Sequence, residues 1–277
     1  MIAYRSSVRN ACDFHHEHDV DQEVPVPQHS AEMQGRRFLV TGGARGIGSE
    51  TVTLLAQHGA VGACLDLAPG PTPLPEGWHH VHADLVDDAS TAHAVRSAHA
   101  LLGGLDGVVA SAGVVPGWSS IADADLDDYD RVMAVNARGL VSTIKHAAPL
   151  LDDGATIVAL ASLNAWRGDP NLVSYAASKH AVLGIVRSAA MELGRRRIRV
   201  NAVGPGPVAT AALRSRMAAR AERTSTTVED ALDAAARLTA LGQIATEHDV
   251  AHAVLFLSSA ASAATTGQLL KVDGGLL

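Results

Sequence analysis

From Arg36 onward, short apolar runs alternate with longer stretches in which apolar residues recur at helical spacing. Short runs bounded by turn residues are typical of buried strands, and longer periodic stretches are typical of amphipathic helices. Strands are predicted at Arg37–Val40, Val61–Leu65, near His80–His82, and at Leu105–Ala110, Thr156–Ala161, Ile198–Val203 and Leu269–Val272. Because strands that alternate with helices pair in parallel through right-handed crossovers, the pattern predicts an α/β fold. We expect one doubly wound, Rossmann-type domain with a parallel sheet of about seven strands and helices on both faces.

Helical spacing covers much of the sequence between these strands. Two helices are expected between Ala110 and Thr156, with Asn136 near the start of the second. The segment Thr246-Glu-His-Asp249 has the form of a capping box, and it predicts a helix that ends near Ser259. The other helices are predicted at Ile47–His58, at Thr91–Leu102, from Tyr175 to about Gly194, and within Pro207–Leu241.

The first part of the chain lacks this periodicity. Residues 1–34 are polar, rich in histidine and acidic residues, and contain Pro25 and Pro27. We therefore expect a flexible N-terminal extension over 1–34 and a single domain over 35–277, in which the segment at about 207–241 forms a mobile lid. The cluster His15-His16-Glu17-His18 has the chemistry of metal ligands, but an irregular segment gives them no fixed geometry, so no metal site is predicted.

Composition and charge narrow the class of protein. Apolar residues make up 47% of the chain and aromatic residues only 3%, which suits parallel strands covered by alanine-rich helices. The net charge of −7 argues against a nucleic-acid partner, and the basic cluster Arg195-Arg196-Arg197 is better explained as the end of a helix. No apolar stretch approaches the roughly 18 residues of a membrane span, and the N-terminus carries no apolar signal core. Cys12 and Cys64 are too few for a disulfide framework, so a cytoplasmic location is expected.

A glycine-rich segment, Thr41-Gly-Gly-Ala-Arg-Gly-Ile-Gly48, lies between the first predicted strand and the first predicted helix. Such a turn aims backbone N–H groups and the positive end of the helix dipole at a pyrophosphate. Gly42 is expected to allow the tight turn, Gly46 the approach of the phosphates, and Gly48 the close packing of the helix on the strand. Glycines alone are also compatible with a purely structural turn. Asp66 at the end of the next strand favours a dinucleotide, because a carboxylate there can accept hydrogen bonds from the adenosine ribose.

Asp66 also bears on the choice of nucleotide. Its charge would repel a 2′-phosphate, which favours NAD over NADP. Arg45 argues in the opposite direction, because a guanidinium beside the turn could pair with that phosphate. We give Asp66 more weight because its expected hydrogen bonds are to the ribose hydroxyl itself.

A second group of residues has side chains suited to acid–base catalysis. Tyr175 and Lys179 lie four residues apart on a predicted helix, so their side chains share one face. A phenol with a pKa of about 10 is a poor base near neutrality, and a neighbouring ammonium group lowers that value by stabilising the phenolate. Ser162 lies upstream, after a predicted strand. A tyrosine–lysine pair alone is often an ordinary surface feature, but here it shares the chain with a dinucleotide signature.

With these motifs the chain, from about Arg36 to Leu277, resembles the short-chain dehydrogenase/reductase family. Asn136, Ser162, Tyr175 and Lys179 are similar to its catalytic tetrad in order and approximate spacing. Gly204-Pro-Gly-Pro207 with Thr210 looks like the loop that holds the nicotinamide carboxamide, and Val272-Asp-Gly-Gly275 is similar to the family's C-terminal signature. The chain departs from the family in having Ser111-Ala112-Gly113 where Asn-Ala-Gly is usual.

The resemblance implies a role for each of these residues. Tyr175 would be the general base or acid, Ser162 would hydrogen-bond the substrate oxygen, and Lys179 would bind the nicotinamide ribose and lower the pKa of Tyr175. Asn136 would position a water in a proton relay through Lys179. Besides Tyr175 and Lys179, the cofactor contacts are expected from Gly42, Arg45, Gly46, Ile47, Gly48, Asp66, Leu67, Asp84, Leu85, Ser111, Ala112, Gly113, Pro205, Gly206, Val208 and Thr210.

The expected activity is NAD-dependent interconversion of a secondary alcohol and its ketone. An NADPH-dependent 3-ketoacyl reductase and a non-catalytic nucleotide-sensing protein are the alternatives. The partner is a small-molecule alcohol or ketone, with no nucleic acid and no membrane, and the family resemblance implies a homotetramer. A solvated role is preferred for Arg167 over a substrate contact. The substrate slot is expected to be lined by Val115, Trp118, Leu163, Asn164 and Trp166.

Overall fold

The computed structural model describes residues 33–224 and 227–276, and these form a single parallel sheet with helices on both faces. The sheet confirms the predicted doubly wound α/β fold, and its order is β3-β2-β1-β4-β5-β6-β7. The strands are β1 (Arg37–Thr41), β2 (Val61–Asp66), β3 (Trp78–His82), β4 (Leu105–Ala110), β5 (Leu151–Leu160), β6 (Arg199–Pro205) and β7 (Leu269–Val272). The predicted extension, apart from Met33 and Gln34, lies outside the described residues, as does His15–His18.

The helices fall close to their predicted positions. They are α1 (Gly46–Gln57), α2 (Asp88–Leu102), α3 (Leu126–Met133), α4 (Gly139–Ala147), α5 (Val173–Leu193), α6 (Ala211–Thr224), α7 (Val228–Ala236) and α8 (Glu247–Ser258). The predicted capping box is confirmed, because Thr246 and Asp249 exchange side-chain and backbone hydrogen bonds at the start of α8. Within the described residues, none of the helices is both long and apolar enough to cross a membrane.

The sheet separates two hydrophobic layers. Side chains alternate along β1, so that Leu39 packs with α2, α4 and α5, whereas Phe38 and Val40 pack with α1 and α8. Both layers are built mainly from alanine, valine, leucine and isoleucine, as the composition predicts. Met33 is fully buried in the second layer.

The segment between β4 and β5 differs from its prediction. We expected two separate helices with Asn136 near the start of the second, and instead a π-helical turn at Ala134–Arg138 joins α3 directly to α4. Asn136 lies inside this turn, ahead of α4. A hydrophobic pattern does not mark a single wide turn, because the turn adds one residue without breaking the helix.

The order of the strands places a crevice at one edge of the sheet. The chain runs outward from β1 through β2 to β3, and then returns to place β4 on the other side of β1. The loops after β1 and β4 therefore leave in opposite directions, and ligands of open parallel sheets bind at such a point beyond the carboxyl ends of the strands.

Candidate active site

The glycine turn after β1 is shaped by close backbone contacts. Gly42 has a φ of +66°, and a Cβ atom there would lie 2.6 Å from the Cα atom of Ala112. A Cβ atom on Gly48 would lie 2.1 Å from the carbonyl oxygen of Gly42, so the first turn of α1 packs directly on the glycine turn. Gly46 has a φ of +55°, and among the described residues only the Glu247 side chain lies near its Cβ position. The turn is thus closed on the protein side and open at Gly46, which fits a pyrophosphate.

Asp66 holds this turn in place. Its carboxylate accepts hydrogen bonds from the backbone N–H of Ala44 at 3.1 Å and of Leu67 at 2.8 Å. It remains partly exposed at the end of β2, whereas Arg45, which precedes α1, is exposed. Asp66 can therefore support the turn and still offer a lone pair to a ribose hydroxyl.

The ends of β1 and β4 are joined by hydrogen bonds. The N–H of Ser111 donates to the carbonyl of Thr41 at 3.1 Å, and the N–H of Ala112 is 3.4 Å from the Thr41 hydroxyl. Gly113 follows and lies against two further residues of the site. A Cβ atom there would be 3.3 Å from Asn136 Oδ1 and 3.6 Å from Lys179 Nζ. The unusual serine in place of asparagine thus leaves the backbone pairing of this loop intact.

Tyr175, Ser162 and Lys179 come together where β5 ends and α5 begins. Lys179 Nζ lies 5.6 Å from the centroid of the Tyr175 ring and donates to the carbonyl of Leu160 at 2.7 Å. The Ser162 hydroxyl accepts the N–H of Asn164 at 3.2 Å and interacts with the Tyr175 phenol. The predicted spacing therefore does place a phenol, a hydroxyl and an ammonium group in one site.

The pKa values of the two ionisable groups are shifted mainly by burial. Burial raises the pKa of Tyr175, and the Ser162 hydroxyl and the positive charge of Arg216 act in the opposite direction. Burial lowers the pKa of Lys179 to about 8. We predicted a net lowering of the Tyr175 pKa by Lys179, and the net shift in this arrangement is upward because desolvation of the phenolate outweighs the neighbouring groups.

Asn136 uses its amide to position the loop after β4. Its Oδ1 accepts the N–H of Val114 at 2.7 Å, and its Nδ2 donates to the Val114 carbonyl at 2.9 Å and to the Ser178 hydroxyl at 3.0 Å. The π turn orients this buried side chain between the loop and α5. The expected water relay through Lys179 stays a prediction, while the positioning role is visible in these contacts.

The remaining predicted cofactor contacts lie along the same edge. Asp84 follows β3, and its carboxylate accepts the N–H of Val86 at 2.9 Å, which leaves Leu85 half-buried beside Gly139 of α4. On the other side of the crevice, the N–H of Gly206 donates to the carbonyl of Val272 at 2.9 Å. Of the four predicted contacts here, Pro205 ends β6, and Gly206, Val208 and Thr210 lie in the loop between β6 and α6.

The predicted substrate residues divide into two groups. Asn164 is buried beside the site, with its Nδ2 3.4 Å from Asp169 and its Oδ1 lacking a hydrogen-bond partner among the described residues. Trp118 is half-buried, and Val115 is 37% exposed. Trp166, which follows the short helical turn of Leu163–Ala165, packs against Gly204 and beneath Lys271, whose Nζ is 4.4 Å from its ring centroid. Trp166 therefore faces β6 and β7, whereas Asn164 faces the loop that ends at α5.

Arg216 is a residue of this region that the sequence did not reveal. It lies on α6, and its guanidinium carbon is 4.3 Å from the centroid of the Trp118 ring. For Arg167 we prefer a solvated role over a substrate contact, and its side chain is exposed. Arg216 was missed because α6 contains several arginines, and nothing in their pattern indicates which one turns inward.

Known proteins match this chain along most of its length. A family profile described as enoyl-(acyl carrier protein) reductase matches residues 42–277. Short-chain dehydrogenase reductase 5 of Arabidopsis thaliana is 39% identical over 253 residues, which cover 88% of this chain and 95% of that protein. The (-)-isopiperitenol/(-)-carveol dehydrogenase of Mentha piperita is 38% identical over 256 residues, which cover 88% and 94%.

Solved structures agree with these sequence matches. The ligand-free aldohexose dehydrogenase of Thermoplasma acidophilum superimposes with a TM-score of 0.82 at 26% sequence identity. The superposition covers 89% of this chain and 95% of that one. The likeness therefore extends over the whole sheet and the helices that flank it.

Proposed function

The chain belongs to the short-chain dehydrogenase/reductase family of oxidoreductases, and on that premise we propose that it interconverts a secondary alcohol and its ketone with NAD. The observation that supports this most is the meeting of Tyr175 with Ser162 and Lys179 at the end of β5. A phenol beside a hydroxyl can bind and protonate one oxygen atom, which is what a carbonyl or carbinol presents.

In the proposed reaction, Ser162 donates a hydrogen bond to the substrate oxygen. Tyr175 gives its proton to that oxygen during ketone reduction and removes it during alcohol oxidation. Bound nicotinamide would supply or accept the hydride. Lys179, with a pKa of about 8, is mostly cationic at neutral pH and favours the phenolate in the oxidation direction. Asn136 holds the loop that closes the site from the β4 side.

The preference for NAD rests on Asp66. Its carboxylate lies at the end of β2 and already accepts the N–H of Ala44 from the glycine turn. A 2′-phosphate placed against this carboxylate would meet a like charge, whereas a ribose hydroxyl would donate to it. Exposed Arg45 is the group that would support NADP instead.

The relatives support a carbon–oxygen substrate. One is named for dehydrogenation of isopiperitenol and carveol, and a structural neighbour is named for dehydrogenation of aldohexose. These names share oxidation at a carbon that bears oxygen, which is the chemistry that the phenol and hydroxyl of this site can perform.

Replacement of the phenol tests the proposal directly. Tyr175→Phe should lower kcat for cyclic and acyclic alcohols by about a hundredfold or more, because it removes the proton donor and acceptor. Affinity for NADH, measured by fluorescence titration, should change little. Tyr129→Phe on α3 is the matched control and should keep its activity. Comparable turnover in Tyr175→Phe would refute the role of the phenol.

A 3-ketoacyl reductase that uses NADPH is the second candidate. The exposed guanidinium of Arg45 and the acyl-carrier name of the matching family profile favour it. Initial rates with NADH and NADPH, measured on a 3-ketoacyl thioester, on an enoyl thioester and on simple ketones, separate the two proposals. Tight NADH binding without turnover of any of these substrates would favour a nucleotide-sensing role.

We also propose a homotetramer. Helices α4 and α5 have exposed apolar side chains. Val141 of α4 is 47% exposed, and Met191 of α5 is 85% exposed. Association through these helices would cover them. Light scattering on the purified protein measures the mass, and a monomer would contradict this assembly.

A further inference from the structure

Arg216 lies on α6, in the segment that we expect to form a mobile lid, and its side chain lies near the reacting groups. Its guanidinium stacks on Trp118, with the guanidinium carbon 4.3 Å from the ring centroid. Its positive charge acts on the phenol of Tyr175, and the charges of Tyr175 and Asp169 act on it in return. Arg216 is therefore close to the position at which a substrate must meet Tyr175.

The residues that the structure describes do not satisfy the hydrogen-bonding capacity of this guanidinium. Its Nε and Nη2 atoms are buried, and neither has a hydrogen-bond partner among the described residues. Stacking on an indole ring covers the face of a guanidinium but leaves the N–H groups at its edge unpaired. Buried donor atoms without an acceptor are costly, so these two atoms of the half-buried Arg216 side chain are arranged for an acceptor that arrives with the ligand.

A second unpaired group lies nearby on the loop after β5. The Oδ1 atom of buried Asn164 lacks a donor among the described residues, while its Nδ2 is 3.4 Å from Asp169. Asp169 is in turn one of the charges that act on Arg216. The region thus combines the unpaired donors of Arg216 with the unpaired amide acceptor of Asn164, which matches a ligand that carries an anionic group and a hydroxyl.

We infer that Arg216 binds a carboxylate on the substrate, so that the enzyme acts on hydroxy acids or on their keto acids. This inference rests on the proposed alcohol–ketone reaction and specifies its substrate. The planar guanidinium can hold both oxygens of a carboxylate with parallel N–H donors. The carboxylate then anchors the substrate beneath α6, and the carbinol oxygen reaches Ser162 and Tyr175.

Three probes of similar size test the inference. They are 3-hydroxycyclohexanecarboxylate, its neutral carboxamide, and cyclohexanol, each assayed with NAD. Arg216→Gln should lower kcat/KM for the carboxylate by about ten- to a hundredfold, because a hydrogen bond to a charged group is lost. The loss should fall mainly on KM. The carboxamide and cyclohexanol should change by less than about threefold on the same grounds.

The chain offers a matched control on the same helix. Arg214 is exposed and pairs with Glu229 at 3.5 Å, so Arg214→Gln removes the same charge without touching the site. This variant should behave like the wild type on all three probes. Arg216→Lys keeps the charge but lacks the two parallel N–H donors of the guanidinium. Its activity on the carboxylate should therefore lie between those of Arg216→Gln and the wild type.

Two outcomes would overturn the inference. An equal loss on all three probes would mean that Arg216 acts through Tyr175 or through the lid and not on the substrate. No loss on the carboxylate would mean that the guanidinium does not contact it. The KM and kcat values of the three probes separate these cases.

Calorimetry keeps the test independent of turnover. Cyclohexanecarboxylate, which has no carbinol to oxidise, should bind the enzyme–NADH complex about tenfold or more weakly in Arg216→Gln than in Arg214→Gln. If the wild type binds it through Arg216 but oxidises no alcohol, the proposed function fails while the carboxylate site stands. If the wild type oxidises cyclohexanol but binds cyclohexanecarboxylate no better than Arg216→Gln does, the proposed function stands and the carboxylate site fails.

Discussion

Asp66 has two tasks at the scale of a single residue. Its carboxylate accepts the N–H of Ala44 and so shapes the glycine turn, and it also sets the charge that a bound ribose would meet. The sequence predicted only the second task, because the first depends on where the turn folds back. Alanine at this position would disturb both tasks at once, so the charge must be removed without removing the acceptor.

Asp66→Asn does this, because an amide oxygen can still accept from Ala44. We expect the ratio of kcat/KM for NAD to that for NADP to fall by about tenfold, since repulsion of the 2′-phosphate is removed. Asp84→Asn, at the end of β3, should instead affect both nucleotides equally. An unchanged ratio in Asp66→Asn would assign the preference to Arg45 or another group.

The predictability of the site also varies residue by residue. Tyr175, Lys179 and Ser162 follow from spacing, because a helix and a strand end carry them to one place. Arg216 does not, since its position depends on the packing of α6 on Trp118. The upward shift of the Tyr175 pKa could not be predicted from the sequence either, because it comes from burial, which depends on the folded structure.

At the scale of elements, the glycine turn and α1 act as one unit. A Cβ atom on Gly48 would lie 2.1 Å from a backbone oxygen of Gly42, which no side-chain rotation can relieve. The sequence predicted that Gly48 allows close packing, although it indicated the strand as the neighbour and the structure shows the turn itself.

Gly48→Ala should therefore lower NADH affinity by about tenfold or more and destabilise the domain by about 1–3 kcal/mol. Fluorescence titration and urea unfolding measure the two effects. Gly194→Ala is the control, because Gly194 follows α5 at the opposite edge of the sheet and no described residue comes within 4 Å of its Cβ position. Full NADH affinity in Gly48→Ala would contradict the packing described here.

The boundaries of the strands and helices show where the hydrophobic pattern predicted the structure and where it did not. β4 and β7 match their predictions, because turn residues bound their apolar runs. β5 begins at Leu151, which pairs with Leu105, and so starts earlier than predicted. The prediction missed this start because the exposed residues Asp152 and Asp153 interrupt the apolar run. The segment predicted as helical between Pro207 and Leu241 contains two helices, and Thr227 caps the second.

At the scale of the whole molecule, the two edges of the sheet differ. Among the described residues, the carboxyl edge carries the unpaired side-chain atoms of Arg216 and Asn164 near the reacting groups, whereas the amino edge carries the ion pair of Arg37 and Asp106. Arg37 donates to both carboxylate oxygens of Asp106, at 2.8 and 2.9 Å, and its backbone N–H donates as well. Changes at the amino edge should therefore affect stability and leave activity intact.

Burial acts to raise the pKa of Asp106, but the hydrogen bonds from Arg37 outweigh it and hold the pKa below its ordinary value. The pair therefore stabilises the fold above the unfolded pKa of about 4, and this contribution is lost as the pH falls below that value. Asp106→Asn should cost about 1–2 kcal/mol at pH 7 in urea unfolding, with kcat unchanged. The difference from the wild type should shrink towards pH 3.

Asp152→Asn is the control for this experiment. Asp152 also contacts Arg37, but its side chain is 59% exposed, so its replacement should change the free energy of unfolding little. An equal cost for both variants, or a cost that grows in acid, would contradict the assignment of stability to the inner carboxylate.

The wide turn at Ala134–Arg138 accommodates one extra residue in an otherwise regular helix. Gly139 donates its N–H to the carbonyl of Ala134, five residues back, so the rod from α3 to α4 contains one residue more than regular winding needs. Deleting that surplus residue would restore regular winding and leave α4 in phase, so Leu140 and Ile144 would still pack against the sheet. Asn136 would lose the widened backbone that brings its amide to Val114 and Ser178, so a lineage that lost the residue would keep its interior and have to rebuild its active site.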